Sequence, residues 1–423
     1  MALIVLTLIF SFSASSEEIV EVDFFEDEIE LELEENFDFS DEIYPKDADI
    51  NDDKNSVDNG NSILDLVQSS ITVGSFNSQI FNTRESKSAF IINLSSSSEI
   101  PSVGFVDVSA NVSIDTEKRN LTNEITHFTI QNSIKNIKWK IGKFRKSWGD
   151  VEGSLALNTI NPADSLLNQP LPGMDQSSRW LAEISFFTGK STSDFFISLN
   201  RDTVHAVNSN SNNSGSEFGL KSSFDIEKGQ VSFYLASLFP RMGTVDINSG
   251  LSHSNRYNLI GVSAHKDVNH YLLKFDLAKK VNLNKSTFSN LRKGSRIDGA
   301  LGVEYAPSYY DKWFFKLEGS MWEDSIKSYY ITGSSDLLAE ESKSSSYSFA
   351  YSRNTSNDKL INTISFGGNG NGNSFYLAGE TTYSISDHTK VKANFLLFEA
   401  KPDDLAYEYD KSRLINFGWT RYF

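Results

Sequence analysis

From about Ser69 onward the chain alternates apolar with polar positions. In KGQVSFYLASLF one face carries Val231, Phe233 and Leu235, and in NHYLLKFDLAKK Tyr271, Leu273, Phe275 and Leu277 lie opposite Lys274 and Asp276. DKWFFKLEGSM sets Trp313, Phe315 and Leu317 against Lys316 and Glu318, while TKVKANFLLFE sets Val391, Ala393, Phe395 and Leu397 against Lys390, Lys392 and Asn394. A period of two marks a β-strand, because successive side chains point to opposite faces. A charged face backing an aromatic and aliphatic one is what a strand between water and lipid requires.

The pattern predicts strands near 69–82, 86–95, 103–115, 122–133, 136–146, 179–188, 193–201, 215–225, 229–239, 255–266, 269–279, 295–306, 312–321, 344–353, 358–367, 374–384, 388–399 and 411–423, eighteen in all, with sixteen as the fallback. Their connections alternate. GKSTS, DIEKG, KDVN, PSYYD, NTSN and SDHT are short, and those covering 202–214, 240–254, 280–294, 322–343 and 400–410 are long, with GNGNGN at 368–373 a short member of the long class. A soluble sandwich or propeller has no reason to sort its connections by length in turn. A membrane barrel does, with short periplasmic turns and longer outer loops. The expected fold class is all-β, a transmembrane antiparallel β-barrel over residues 69–423.

The first residues differ. MALIVLTLIFSFSASS holds an apolar run from Ala2 to Phe12 followed by small residues, which reads as a signal peptide over 1–16 cut after Ser16, although its n-region has no Lys or Arg. Eleven residues are too few to cross a bilayer, which takes about 20 in a helix. Residues 17–68 are a separate acidic segment. Between Glu17 and Lys54 stand eighteen Asp/Glu and two Lys, a net of −16 out of −17 for the whole chain, which leaves −1 for everything after it. Charge at that density resists compaction, so the segment reads as a mobile periplasmic tail. Its alternation of Ile29, Leu31 and Leu33 with Glu28, Glu30 and Glu32 also suits strand addition to a partner, and its carboxylates also suit cations.

The last strand ends GWTRYF. It resembles the closing strand of Gram-negative outer-membrane proteins, which ends in an aromatic residue and Phe. The resemblance implies residence in the outer membrane, among its lipid and lipopolysaccharide, and an assembly signal at Trp419, Tyr422 and Phe423 read by the barrel-assembly machinery. Arg421 departs from the hydrophobic residue usual on that face and can snorkel to the interface. The predicted third outer loop, 148–178, is the longest. Gly142-Lys143, Trp148-Gly149-Asp150 and Asn161-Pro162-Ala163-Asp164 are similar to a run in porin-like families related to alginate-export barrels and in a neighbouring family of unknown function. In many porins the third loop folds into the barrel, so the resemblance implies a constriction made by Trp148, Asp150, Glu152, Asn161, Asp164 and Asp175. The prolines of this loop also suit an exposed turn.

Catalytic chemistry finds no support. Ser252-His253-Ser254-Asn255 has the composition of an outer-membrane phospholipase site but the wrong spacing, since neighbours on a strand face opposite ways. The six histidines, His127, His205, His253, His265, His270 and His388, are dispersed without metal-ligand spacing, Cys is absent, and no phosphate-cradling motif occurs. No enzyme, cofactor, metal or nucleic-acid partner is expected. Three functions remain: a diffusion channel for small polar solutes, a substrate-specific exporter or importer of an anionic polymer or organic acid, and a structural anchor with an acidic tail. About eighteen strands leave an aqueous interior, which favours a channel, with a homotrimer as one assembly state. Its expected lining is Lys138, Lys140, Lys274, Lys316, Lys390 and Lys392 against Glu183, Asp276 and Glu318, which leans positive unless the loop carboxylates reverse the sign.

Overall fold

The computed structural model describes residues 67–423 apart from 81–82, 101–102, 116–120, 161–177, 199–214, 241–243, 289, 325, 332–336, 341, 356–358, 403, 405–406 and 408–409. Asn161, Asp164, Asp175, His205 and the acidic segment therefore lie outside the described residues.

The first nine strands are β1 (Val67–Ile80), β2 (Thr83–Ile100), β3 (Gly104–Asp115), β4 (Leu121–Ile134), β5 (Ile137–Phe144), β6 (Arg179–Thr188), β7 (Ser191–Ser198), β8 (Phe218–Ile226) and β9 (Gly229–Leu238). A short pair, β10 (Thr244–Val245) and β11 (Ser252–His253), precedes β12 (Tyr257–Val268), β13 (Tyr271–Ser286), β14 (Leu291–Tyr305) and β15 (Asp311–Trp322). A second pair, β16 (Ser328–Ile331) and β17 (Leu337–Glu340), precedes β18 (Lys343–Thr355), β19 (Leu360–Asn369), β20 (Ser374–Ser386), β21 (Thr389–Ala400) and β22 (Arg413–Tyr422). Setting the two short pairs aside, eighteen strands pair antiparallel in chain order, and β22 returns to β1 with Val73 opposite Trp419 and Ser70 opposite Tyr422. The sheet is closed. Closure removes the unpaired edges that an open sheet would expose.

Each expected strand has its counterpart, and the connections alternate as expected except at one place. The expected long connection over 280–294 shrinks to 287–290, because β13 and β14 continue as a paired ribbon past the barrel wall, from Leu283–Gly294 to Ser286–Leu291. Val281 and Leu283 to Ser286 pair with β14 there, around a bulge at Asn282, so a stretch that reads as loop becomes strand. At the opposite end, tight turns reverse the chain at Lys135, Gly189, Lys228 and Asn269, each with φ between 54° and 59°. Left-handed backbone at a two-residue turn matches the right-handed twist of the strands it joins.

The two faces of the wall are inverted relative to a soluble protein. On β13 and β15 Leu273, Leu277, Phe315 and Leu317 are 39–44% exposed, while Lys274, Asp276 and Lys316 are 8%, 0% and 6% exposed. Large apolar side chains pointing outward from nearly every strand form a continuous belt, which in water would be unfavourable and in lipid is not. The outward face of the closing seam carries Val73, Ile415, Phe417 and Trp419 in the same way. No helix among the described residues is long and apolar enough to cross a membrane.

Candidate functional site

The third loop runs from Phe144 at the end of β5 to Arg179 at the start of β6, and its described part, 145–160, lies against the inner face of the barrel. Trp148 begins the contact. It is buried edge-on to Phe196 of β7 at 5.4 Å between ring centroids and tilted against Tyr234 of β9 at 5.1 Å. Leu157 and Ile160 complete the loop's share of an apolar cluster, which the wall extends with Leu181, Phe196, Tyr234, Leu238 and Leu259. Burial of three such side chains contributes roughly 5–9 kcal/mol, at about 1.5–3 kcal/mol each. One hydrogen bond nets about 1 kcal/mol. Apolar burial therefore supplies most of the attraction, and the polar contacts set the register.

Those polar contacts fall on the wall charges that alternation places inward. Asp276 of β13 accepts the backbone N–H of Asp150 at 2.9 Å and of Val151 at 3.3 Å. Glu318 of β15 accepts the N–H of Leu155 at 2.7 Å and the hydroxyl of Ser154 at 3.3 Å. The cations take the loop's acceptors: Lys316 donates to the Gly153 carbonyl, Lys280 to the Leu155 carbonyl at 3.0 Å, and Lys274 pairs with Glu152 and with Glu304 of β14. Lys280 also meets Asp298 at 2.6 Å. At the far end of the described loop, Arg179 donates to the Ile160 carbonyl at 3.0 Å and pairs with Glu217 at 2.5 Å, both side chains being almost wholly buried. Glu217 in turn accepts the Phe239 N–H at 2.7 Å, so one ion pair joins the third loop to the start of β8 and to the segment after β9.

The backbone makes room for this packing. Gly149 has φ +93°, and a Cβ there would meet Asp276 Oδ2 at 2.5 Å. Across from the loop, a Cβ on Gly219 of β8 would meet Trp148 at 2.5 Å, and one on Gly261 of β12 would meet Leu157 at 2.4 Å. Glycine at these positions admits the loop; alanine would push it away.

Asp150 also faces His265 of β12, with Nδ1 and Oδ1 3.3 Å apart. Burial by itself would raise the Asp150 carboxyl, but hydrogen bonds from His265 and Ser263 and the nearby charge of His265 outweigh it and hold the group below its ordinary value of 3.8. For an acid held low in the folded state, the stabilisation is complete above the unfolded value and is lost as pH falls through the folded one. The contribution of this carboxylate to loop docking is thus expected to hold down to about pH 4, the ordinary carboxylate range, and to be lost progressively as pH falls below it. Thermal unfolding of the parent and of Asp150→Asn across that range checks this: the two should differ at neutral pH and converge in acid, and a gap that widens in acid would contradict the assignment.

The expected lining residues therefore divide into two sets. Lys274, Asp276, Lys316 and Glu318 lie behind the loop and hold it. Lys138, Lys140 and Glu183 instead line a cavity of about 360 Å³ between β5, β6 and β7, together with Phe144, Arg145, Lys146, Phe187 and Asp194. Lys146 meets Glu183 at 2.6 Å and Asp194 at 3.9 Å, and Lys140 stands 4.5 Å from the Phe144 ring centroid. Lys390 and Lys392 of β21 face the same interior from across the barrel, Lys392 paired with Glu380 at 2.9 Å. At the seam Tyr422 and Phe423 are exposed, and the Tyr422 N–H bonds the His388 carbonyl at 2.9 Å. Arg179, Glu217, Lys280, Asp298 and His265 belong to the site as well. Parity alone could have placed Lys280 and His265 on the inner face, but nothing local marks which loop atom each one meets.

No protein-family model matches the chain, and no curated protein sequence matches it. Solved structures do. OccAB3 of Acinetobacter baumannii superposes with a TM-score of 0.53 at 10% identity, over 84% of this chain and 98% of that one. OccK2 (OpdF) of Pseudomonas aeruginosa, solved in complex with glucuronate, gives 0.53 at 9% identity over 85% and 98%. OpdK of the same species, solved with vanillate, gives 0.53 at 9% identity over 85% and 99%. At such identities the likeness is one of fold.

Proposed function

We propose that this chain is an outer-membrane channel that lets small anionic solutes pass passively through a lumen narrowed by its third loop. The observation that carries the reading is the loop itself: residues 148–160 pack against the inside of an eighteen-strand wall, from β6 round to β15. A barrel of that size holds an aqueous interior unless it is plugged. A loop pinned to one side narrows it. On the side that the described loop does not cover, Lys138, Lys140, Arg145, Lys146, Lys390 and Lys392 stand against Asp107, Glu183, Asp194 and Glu380, which gives the remaining path a positive lean. In a narrow aqueous path with low-dielectric walls, a few fixed charges raise the local concentration of ions of the opposite sign. Glucuronate and vanillate, held by proteins of the same fold, are both carboxylates, which agrees with this sign.

Reversal potential across a planar bilayer under a salt gradient tests it. Anion preference is expected, weakening toward 1 M salt, where the screening length falls to about 3 Å. Shortening the loop across residues 148–178 should raise conductance. Unchanged conductance after that deletion would place the loop outside the path, and cation preference in the parent would give the loop carboxylates control of the sign.

A further inference from the structure

The outward face of β13, β14, β15 and β18 ends differently at its two edges. At the short-turn edge Tyr271, Tyr305, Trp313 and Tyr351 are partners in register across the four strands, with ring centroids 4.7 Å apart for Tyr271 and Tyr305 and 4.2 Å apart for Trp313 and Tyr351. Such a row is an aromatic girdle and marks one membrane interface. Eight residues further along each strand, as from Tyr271 to Lys279, the register passes through Lys279, Ile297, Met321 and Lys343. Eight residues rise about 27 Å along a strand, or about 20 Å along the membrane normal at the usual tilt, so this second row stands close to the far edge of an apolar band about 25 Å tall. That edge lies on the side of the long connections and so meets the outer leaflet.

Charge is balanced at the first edge and not at the second. Beside the girdle Asp311 and Arg353 are in register, their charged groups 3.8 Å apart. At the outer edge Lys279 pairs with Glu323, but Lys343 in the same row and Lys293, which shares the outward parity of Ile297 on β14, are exposed and have no carboxylate within ion-pair distance among the described residues. Lys279 and Lys343 are three strand spacings apart, about 14 Å, and their flexible stems let both amines reach a group seated over Ile297 and Met321. Directly beneath, Leu277, Gly299, Gly319 and Ser345 are in register, and below them Leu301, Leu317 and Tyr347. A Cβ on Gly299 would meet nothing closer than 3.5 Å, so the wall has room for a side chain where it carries none. The result is a shallow depression in the apolar belt under a pair of lysines.

We propose that Lys279, Lys293 and Lys343 hold the phosphate groups of a lipopolysaccharide molecule at the outer rim, with one of its acyl chains lying over Gly299, Gly319 and Ser345. Unpaired cations at a membrane interface attract anionic lipid headgroups. Lipopolysaccharide is the outer-leaflet amphiphile that combines phosphates on its head with saturated chains, whereas phospholipid of the inner leaflet meets the opposite edge, where Asp311 and Arg353 cancel. The site lies on the lipid-facing wall and needs neither the lumen nor the third loop, so it goes beyond the channel reading and stands without it.

Titrating the folded full chain in non-ionic detergent with purified lipopolysaccharide, and reading bound lipid by native mass spectrometry, tests this. A lysine near an anionic surface is worth about five-fold in affinity, so the triple variant Lys279→Gln, Lys293→Gln, Lys343→Gln should bind about twenty-fold more weakly while keeping its heat-modifiable gel mobility. Ser345→Leu fills the depression without changing charge and should cost about three-fold. Arg413→Gln, an exposed outward cation on β22, should bind like the parent. Dephosphorylated lipopolysaccharide and phosphatidylglycerol should bind the parent no better than intact lipopolysaccharide binds the triple variant. If the triple variant does not fold, Lys343→Gln, which loses no partner in the wall, carries the same test at about five-fold. Unchanged binding by the lysine variant, an equal loss in Arg413→Gln, or phosphatidylglycerol binding as tightly as lipopolysaccharide would each overturn the proposal, and unchanged binding by Ser345→Leu would overturn the placement of the chain.

Discussion

Asp276→Ala is expected to release the third loop and to turn a steady single-channel current into a larger, fluctuating one. The carboxylate takes two consecutive loop N–H groups, those of Asp150 and Val151, at a site with no exposure to solvent. Alanine leaves both donors without an acceptor, at a cost of about 1–3 kcal/mol each, so docking weakens by about 2–6 kcal/mol. That is a factor of roughly 30 to twenty thousand in the docked-to-free ratio, since about 1.4 kcal/mol is tenfold. The wall ladder does not use this side chain, so the folded barrel should still form and keep its heat-modifiable gel mobility. Asp276→Asn retains one acceptor and should give a smaller effect. Gly149→Ala attacks the same contact from the loop side, because its Cβ would press on Asp276 Oδ2 from a backbone held at φ +93°. If conductance and noise in Asp276→Ala match the parent, this carboxylate does not hold the loop.

The second large effect belongs to the ion pair that ties three outer segments together. Arg179→Met leaves Glu217, about 2% exposed, without its guanidinium, and breaking a buried pair in this way costs about 3–5 kcal/mol. The Ile160 carbonyl loses its donor at the same time, while the Phe239 N–H keeps Glu217 as its acceptor. The expected result is a lower temperature for loss of folded gel mobility and a lower urea midpoint. Replacing both partners, Arg179→Met with Glu217→Gln, removes the stranded carboxyl and should recover most of the loss, a coupling that a double-mutant cycle measures directly. A double variant less stable than the single would show that Glu217 has other work at this site.

How far the amino-acid order alone carries can be judged on single strands. In β13 the alternation of Leu273, Phe275 and Leu277 with Lys274 and Asp276 needs no tertiary information, because a period of two assigns each side chain to one of two faces and lipid accepts only one of them. Repeated over eighteen segments with short and long connections in turn, it determines an antiparallel barrel and its strand count. The same logic mistook Val281 to Ser286 for loop, since a ribbon rising clear of the membrane has no apolar face to keep and its strand character comes only from pairing with β14. The site divides in the same way. Parity puts Asp276, Lys316 and Glu318 inside, yet it does not say whether they meet water or protein. That was decided when residues 148–160 folded back across β6 to β15, joining groups 125 to 164 positions apart in the chain. Local sequence determines which way a side chain points. Which partner it finds depends on the path of a loop through the closed lumen, set by glycines at Gly149, Gly219 and Gly261 and by the apolar cluster around Trp148 that no window of the sequence contains.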